Sequence, residues 1–495
     1  MGSKLRMCGL LTFAVLASQV ANAQNPLPPD PQASCTLTPA QFASWFANGV
    51  VTPNGIVKPA DSLNFSPNSF CSFYQWSTQM FLWLNSPTSS TGGRIFDSPV
   101  FYDVELGVDE KFHLVSNNAG RIRSLGVRSA QVGSSGKKLI VSAAGVVSDV
   151  ETGQASGSGT LLSQNGSLVY YSIHVNDVFA YMATGINSTP PQINLAGFPT
   201  TAADLKQITD YASQHLHKQV VDPTALAMEL KISWVDAATL PNPQDYITMT
   251  ANVPTYNFSV PPDNNGIWPT GPVQQKLLAM VGMHVVGSTA GHPEMIWATF
   301  EHVNNAPNGA YSYKNTGGMV TNVPLNPQGK WLFSNGTANP FNVENLKTVT
   351  TPEAGIQQMN SSGPKPVASN TNRTFAWGGA QTNQGVDNNT QIISLNNAVI
   401  SMLGNDIRKN YVHIGSVWTG GQIPPSSGTI PAQAQSVGSV LLSNATMETY
   451  HQAPGFNCFS CHNTGTSTAS SANLSQLSHI WKNLQPLNAK SKTPK

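Results

Sequence analysis

A chain of 495 residues in which only 10% are charged, with a formal net charge of +1, has no global field that would draw in nucleic acid or an anionic membrane. Gly, Pro, Ser, Thr and Asn are plentiful and spread throughout, which suits a rigid, loop-rich, β-rich exported protein. Without the N-terminal leader described next, roughly 470 residues remain, more than one hydrophobic core usually serves, so two or more packed subdomains are expected.

Lys4 and Arg6 precede the apolar run CGLLTFAVLA, and Ala21-Asn22-Ala23 follows before Gln24. This is the pattern of a secretory signal peptide over residues 1–23. The run is about half as long as a hydrocarbon core requires, and no later segment is long enough, so no membrane insertion is expected. Cys8 does not stand at the end of the run, where a lipid-anchored cysteine would, so no lipid anchor is read. Loss of Lys4 and Arg6 with the leader takes the formal charge from +1 to −1.

Residues 24–64 form a lead-in whose opening, NPLPPDPQ, favours extended backbone at the surface. Of the five cysteines, one is in the leader and two belong to a CxxCH motif. Cys35 and Cys71 remain, and in an oxidising compartment they are expected to pair as a disulfide closing a loop of about 36 residues.

A β-rich body is expected over residues 65–431, with a candidate subdomain break near 186–225. Its first element, Phe70–Leu84, places Phe73, Trp76, Met80, Trp83 and Leu84 at helical spacing, and Pro87 stops it. From about 95 to 185 the chain reads as short strands, including KKLIVSAAGVVSDV and GTLLSQNGSLVYYSIHVNDVFAYM, with Asn165-Gly166 as a hairpin signal. A capped amphipathic helix follows from Thr200 or Thr201 to Leu216. Ala227–Val235, Asp245–Tyr256, Leu277–Ser288 and Glu294–Val303 suit strands. Residues 304–390 read as long ordered loops, Gln391–Arg408 as a helix and Tyr411–Trp418 as a strand. The last block, 432–495, carries the CxxCH between two short helices and ends in a basic tail. The fold class expected is therefore α+β and β-dominated: a large multi-stranded antiparallel β body with a few helices and a small C-terminal segment.

Cys458-Phe459-Ser460-Cys461-His462 is the attachment pattern for a c-type haem. Two thiols three positions apart can reach the two vinyl groups of one porphyrin, and the next imidazole then falls under the iron as proximal ligand. A zinc site would need two further ligands, for which only histidines remain once Cys35 and Cys71 pair. A thioredoxin-like motif would open a helix early in a βαβ unit, whereas this one lies in a polar loop. One covalent haem c on Cys458, Cys461 and His462 is expected. No Met follows His462, so the distal iron ligand is sought elsewhere: His479, within LSQLSHIWKNLQPL, ranks first, Met447 second and His451 third, ahead of an open position or a ligand from the body. Phe456, Phe459, Leu474, Leu477, Ile480 and Trp481 could cover the haem edge or simply pack.

Two other groups of residues stand out. His284, His292, Glu294, Glu301 and His302 lie close in sequence and invite a metal-site reading, although strand alternation would set Glu301 on the face opposite Glu294 and His302. Hydrogen-bonded residues of a β core, or a surface facing the CxxCH segment, form the stronger expectation. In AMELKISW, Met228, Leu230, Ile232 and Trp234 alternate with Glu229, Lys231 and Ser233. The polar side is expected to be a solvated sheet face, the alternative being a pocket lined by Glu229 and Lys231. No P-loop, GxGxxG after a strand, HExxH or GxSxG is present.

MELKISW, GMHVVGS followed by GHPEMIWATFEHVNNAP, and LLSNATMETYHQ leading to CFSCH together resemble a family of exported bacterial cytochrome c-like proteins. The resemblance covers roughly residues 65–485 and is most specific at GHPEMIWATFEH. It implies a β-rich body with a C-terminal haem-binding segment, and it supplies no substrate. The function expected is periplasmic or secreted electron transfer with a redox partner protein. The alternatives are a haem-dependent oxidoreductase with an open sixth position, and a carbohydrate- or protein-binding β module with an accessory haem.

Overall fold

The computed structural model describes residues 27–88, 93–107, 109, 111–118, 121–127, 140–142, 145–147, 159–338, 340–349, 354–359, 363–422, 435–463 and 472–487. The expected leader, the start of the lead-in and most of the basic tail lie outside these residues. So does much of KKLIVSAAGVVSDV, of which Ile140–Ser142 and Gly145–Val147 pair as a short hairpin.

The protein is α+β with one large sheet. Its eleven strands are β1 (Phe101–Leu106), β2 (Phe112–Ser116), β3 (Arg123–Ser124), β4 (Gly126–Val127), β5 (Tyr170–Asn176), β6 (Met228–Asp236), β7 (Thr248–Val253), β8 (Gln274–Thr289), β9 (His292–His302), β10 (Tyr411–Trp418) and β11 (Val437–Gly438). The path runs β11-β10-β9-β8-β6-β5-β1-β2, with β7 on the first half of β8 and β4 on β5. Every ladder is antiparallel except the short β3–β7 pairing. Central strands β6, β8 and β9 are rich in Val, Ile, Met and Trp, residues that fit a pleated, half-buried surface. Met228, Leu230, Ile232 and Trp234 are fully buried, as the alternation in β6 predicts.

Six helices are described, of which α2 (Phe70–Leu84), with the bounds its spacing predicts, lies against the sheet. Phe81 stacks on Phe300 of β9 at 4.2 Å, and Phe73 stacks on Trp418 of β10 at 4.0 Å. Trp76 comes so close to Gly287 that a Cβ there would lie 3.1 Å from the indole. The long α5 (Asn383–Leu403) packs beside it, Asn388 accepting from the Tyr74 hydroxyl at 2.7 Å. Helix α5 begins earlier and ends sooner than Gln391–Arg408. Thr382 caps it through Gly385 N, and Gly404 at φ 58° stops it, while its first turns are Asn- and Gly-rich and lack a helical apolar pattern.

Two expectations are corrected. The VNDVFAYM stretch is not a strand throughout. Asn176 ends β5 and caps α3 (Asp177–Ile186), whose every residue up to Gly185 is buried, so no apolar stripe could reveal it. The lead-in is not only a surface segment: α1 (Pro39–Trp45) buries Phe42 and Trp45, and a capping box of Thr38 and Gln41 with Pro at the first position marks it. The last block supplies edge strand β11, and Leu474 and Leu477 of α6 (Ala472–Leu477) with Ile480, Trp481 and Leu484 pack into the same core as residues of the body. Trp481 meets Phe179 and Phe198 edge-on at 5.5 and 5.9 Å. The remaining helix, α4 (Ala202–Tyr211), is capped at Thr201 as expected.

Residues 304–390 are mostly loops, held by buried polar side chains. Asn370, Thr371, Asn372 and Arg373 are all buried. Cys35 and Cys71 are joined by a disulfide that ties the lead-in to the first turn of α2, with the Cα atoms 5.3 Å apart.

Two predictions follow from these contacts. Cys35→Ser should lower unfolding free energy by about 2–4 kcal/mol, read as a lower denaturant midpoint under oxidising but not reducing conditions. Asp177 is buried at the start of α3, and that burial raises its carboxyl to about 7. Since the unfolded group titrates near 4, the folded state holds the extra proton between about pH 4 and 7 and loses stability as pH rises through that window. Asp177→Asn should flatten this part of the stability–pH profile; an unchanged slope would show that another group causes it.

Candidate functional site

The face of the sheet turned away from α2 carries Glu229, Lys231 and Ser233 of β6, His284 and Val286 of β8, and Trp297, Thr299 and Glu301 of β9. The antiparallel register sets His284 opposite Thr299 and Lys231, and Val286 opposite Trp297 and Glu229. Residues 442–463 lie across this face. Asn444 Nδ2 donates to Thr299 Oγ1 at 2.8 Å, Thr446 Oγ1 is 2.8 Å from Ser233 Oγ, and Tyr171 donates to the Thr446 carbonyl at 2.7 Å. Ala445 N–H donates to Glu301 at 2.9 Å, and Arg373 pairs with the other oxygen of the same buried carboxylate at 2.9 Å. Gly282 allows this approach, because a Cβ there would stand 2.8 Å from Thr446 Oγ1. Among the described residues no α-helix precedes the motif in this block; the polar side chains of residues 442–463 bond outward to the sheet instead, and the backbone there runs in turns.

The motif forms a single 3₁₀ turn, Cys458–Ser460, with a reciprocal cap: Asn457 Oδ1 accepts from Phe459 N and Ser460 Oγ accepts from Asn457 N. Asn457 Nδ2 donates to the Val440 carbonyl and to Ser436 Oγ, which fixes the turn to the end of β11. His462 N–H continues the turn to the Cys458 carbonyl at 2.9 Å. Phe459 is fully buried near Trp297.

His462 lies between two rings, Trp297 at 4.2 Å and His479 at 4.3 Å. Its Nδ1 is 2.6 Å from the Leu477 carbonyl, so Nδ1 carries the proton and donates, and Nε2 is the nitrogen left with a lone pair. Burial, reinforced by His479, holds the imidazole well below its ordinary range, so the ring is neutral. Burial, reinforced by the Glu448 carboxylate, pushes the Cys458 thiol up. Cys458 and Cys461 are not joined to one another.

Cys458, Cys461 and His462 open on a cavity that is continuous with solvent. Its other walls are Glu229, Lys231, His284, Val286, Trp297, Ala298 and Thr299 from the sheet, and Leu442, Glu448, His451, Phe456 and Asn457 from the overlying segment. Glu229 and Lys231 therefore face a pocket rather than open solvent. Glu448 accepts from Asn444 N at 2.9 Å, and its other oxygen is 2.9 Å from His284 Nε2. Burial would raise the Glu448 carboxyl, but His284, Lys231 and the Asn444 N–H together hold it below the usual range.

A covalently held haem fits this donor set. Two thiols at i and i+3 line one cavity, the adjacent imidazole is neutral with its second nitrogen oriented by a carbonyl, and Trp297, Val286, Leu442 and Phe456 supply apolar walls. Of the distal candidates, His479 stacks on His462 at an interplanar angle of 16° instead of standing across the cavity, with Nε2 3.3 Å from the Cys461 carbonyl. Met447 is fully buried in a separate cluster with Val281, Leu332 and Phe333. His451 does reach the cavity wall. Phe459, Leu474, Leu477, Ile480 and Trp481 are buried in the core, while Phe456 alone of the expected cover residues lines the cavity.

The five clustered histidines and glutamates do not converge. His292 pairs with Glu294 at 2.8 Å, Glu301 with Arg373, His284 with Glu448, and His302 stacks on Tyr246 at 3.8 Å, where burial lowers it to about 3. Among the described residues, no three His, Cys, Asp or Glu side chains are grouped to hold a metal ion. The contribution of Glu448 had no local signal, since it depends on the 442–463 segment crossing β8.

No protein-family model matches the chain, and no curated protein and no solved structure matches it.

Replacing Asn457 by Ala removes the cap of the motif turn and two anchors to the β11 region. It should cost about 1–2 kcal/mol and should raise hydrogen exchange at Phe459 and His462 more than in β6 or β8.

Proposed function

We propose that this protein is an exported c-type cytochrome that holds one haem through Cys458, Cys461 and His462 and serves periplasmic electron transfer, in keeping with the resemblance to cytochrome c-like proteins. The observation that carries this reading is the His462–Leu477 hydrogen bond at the wall of the cavity shared by both thiols. It gives the motif histidine the tautomer and orientation of a metal ligand. The Cys35–Cys71 disulfide supports an oxidising compartment. No helix of the described residues is long and apolar enough to cross a membrane.

A bound haem would supply ferric–ferrous one-electron chemistry. The chain's own residues position it: the capped turn fixes the thiols, Trp297 and His479 clamp the His462 ring, and the apolar walls limit water. Lys231 brings a cation to the same cavity, suited to a propionate. The ionisable groups Glu229, Lys231, His284, Glu448 and His451 on the walls also favour a second reading, an oxidoreductase that binds a small polar substrate beside the iron.

Expression with c-type haem maturation machinery should yield protein whose intact mass includes one haem under denaturing conditions. Cys458→Ser with Cys461→Ser should abolish that covalent mass. A reduced spectrum with a sharp α-band unchanged by carbon monoxide supports the electron carrier; a carbon monoxide shift supports the enzyme; absence of covalent haem defeats both.

A further inference from the structure

We propose that His284, on the central strand β8, is the distal axial ligand of the haem iron and that Glu448 is its positioning residue. This rests on the haem reading above and adds to it the sixth ligand.

The proximal histidine and both attachment cysteines belong to one stretch of six residues, so a ligand for the other side of the iron must come from a different wall of the same cavity. The sheet contributes one such wall and the overlying segment, which carries His451, another. Among the sheet's lining side chains, His284 is the one that offers an imidazole, a donor suited to ferric and ferrous iron alike. Its neighbours in register, Lys231 and Thr299, line the cavity with it.

The second observation is the carboxylate. Glu448 is 2.9 Å from His284 Nε2, and its other oxygen is held by Asn444 N–H at 2.9 Å. Asn444 is itself fixed to β9 through Thr299. A metal-ligating histidine characteristically donates its remaining N–H to a carboxylate, which sets the tautomer and strengthens the donor. Here that arrangement leaves Nδ1 for the iron. Both partners are half-buried, His284 on a central strand and Glu448 tied to it through Asn444.

The test uses the full chain matured with covalent haem, followed by intact mass, ferric EPR and optical spectra with and without carbon monoxide. The wild type should be low-spin and inert to carbon monoxide. His284→Ala, with its haem mass retained, should become high-spin and bind carbon monoxide, and added imidazole should restore the low-spin spectrum. His284→Met should remain six-coordinate with a raised midpoint potential, which keeps the test open if the Ala variant folds poorly. Glu448→Gln should stay low-spin while its midpoint potential rises, an effect that a purely structural role would not produce. Met447→Leu should leave the wild-type spectrum. A low-spin, carbon monoxide-inert His284→Ala, or a high-spin wild type, would overturn the assignment, as would loss of the low-spin signal on His451→Ala with His284→Ala unaffected. Absence of haem mass in the wild type would overturn the haem reading itself, and the mass spectrum distinguishes that result from the others.

Discussion

The buried carboxylate of Glu301 governs the architecture around the cavity. It is fully enclosed, takes the Arg373 guanidinium on one oxygen and the Ala445 N–H on the other, and receives Asn305 as well. An enclosed charge without partners is costly, so the loop carrying Arg373 and the segment carrying Ala445 must both dock for β9 to take its place. That requirement explains how a long loop region and the C-terminal segment, each poor in apolar residues, come to lie in fixed positions on a sheet face. Asn444, Thr446 and Glu448 then make their contacts within a register Glu301 has already set.

The two faces of the sheet are stabilised by different physics. The α2 face is an apolar and aromatic interface in which Phe73, Phe81, Trp418 and Phe300 stack in pairs. The opposite face is polar and hydrogen-bonded, and it is the face that retains a cavity. Close-packed aromatic surfaces leave little space, whereas side chains bound by directional hydrogen bonds can roof a volume without filling it.

This division also accounts for what could be read from the sequence. Helix α2 and strands β6, β8, β9 and β10 were legible because their apolar residues recur at 3.6 or 2, and burial of Met228, Leu230, Ile232 and Trp234 follows directly from that alternation. Helix α3 was not, because a helix buried all round has no polar face to mark its period. The capping box at Thr38 was an available signal for α1, masked by the prolines before it. The cysteines and His462 were visible as a motif of adjacent residues. Glu448 and His284 were not visible as a pair, since 164 positions separate them and only the crossing of the C-terminal segment over β8 joins them. Likewise, the nearness of His479 to His462 in sequence suggested a partner across the cavity, while the short α6 returns it to the same side, ring upon ring.

The atom that orients His462 is a main-chain oxygen, that of Leu477. Any residue that keeps α6 buried would present the same acceptor, so an apolar substitution of similar size at 477 could alter the side chain without touching the contact. Inserting or deleting a single residue within α6 ahead of 477 would displace it by a fraction of a turn. The imidazole is thus protected by helix phase, and apolar drift in side-chain identity here would leave the contact intact where a change of one residue in the length of α6 would not.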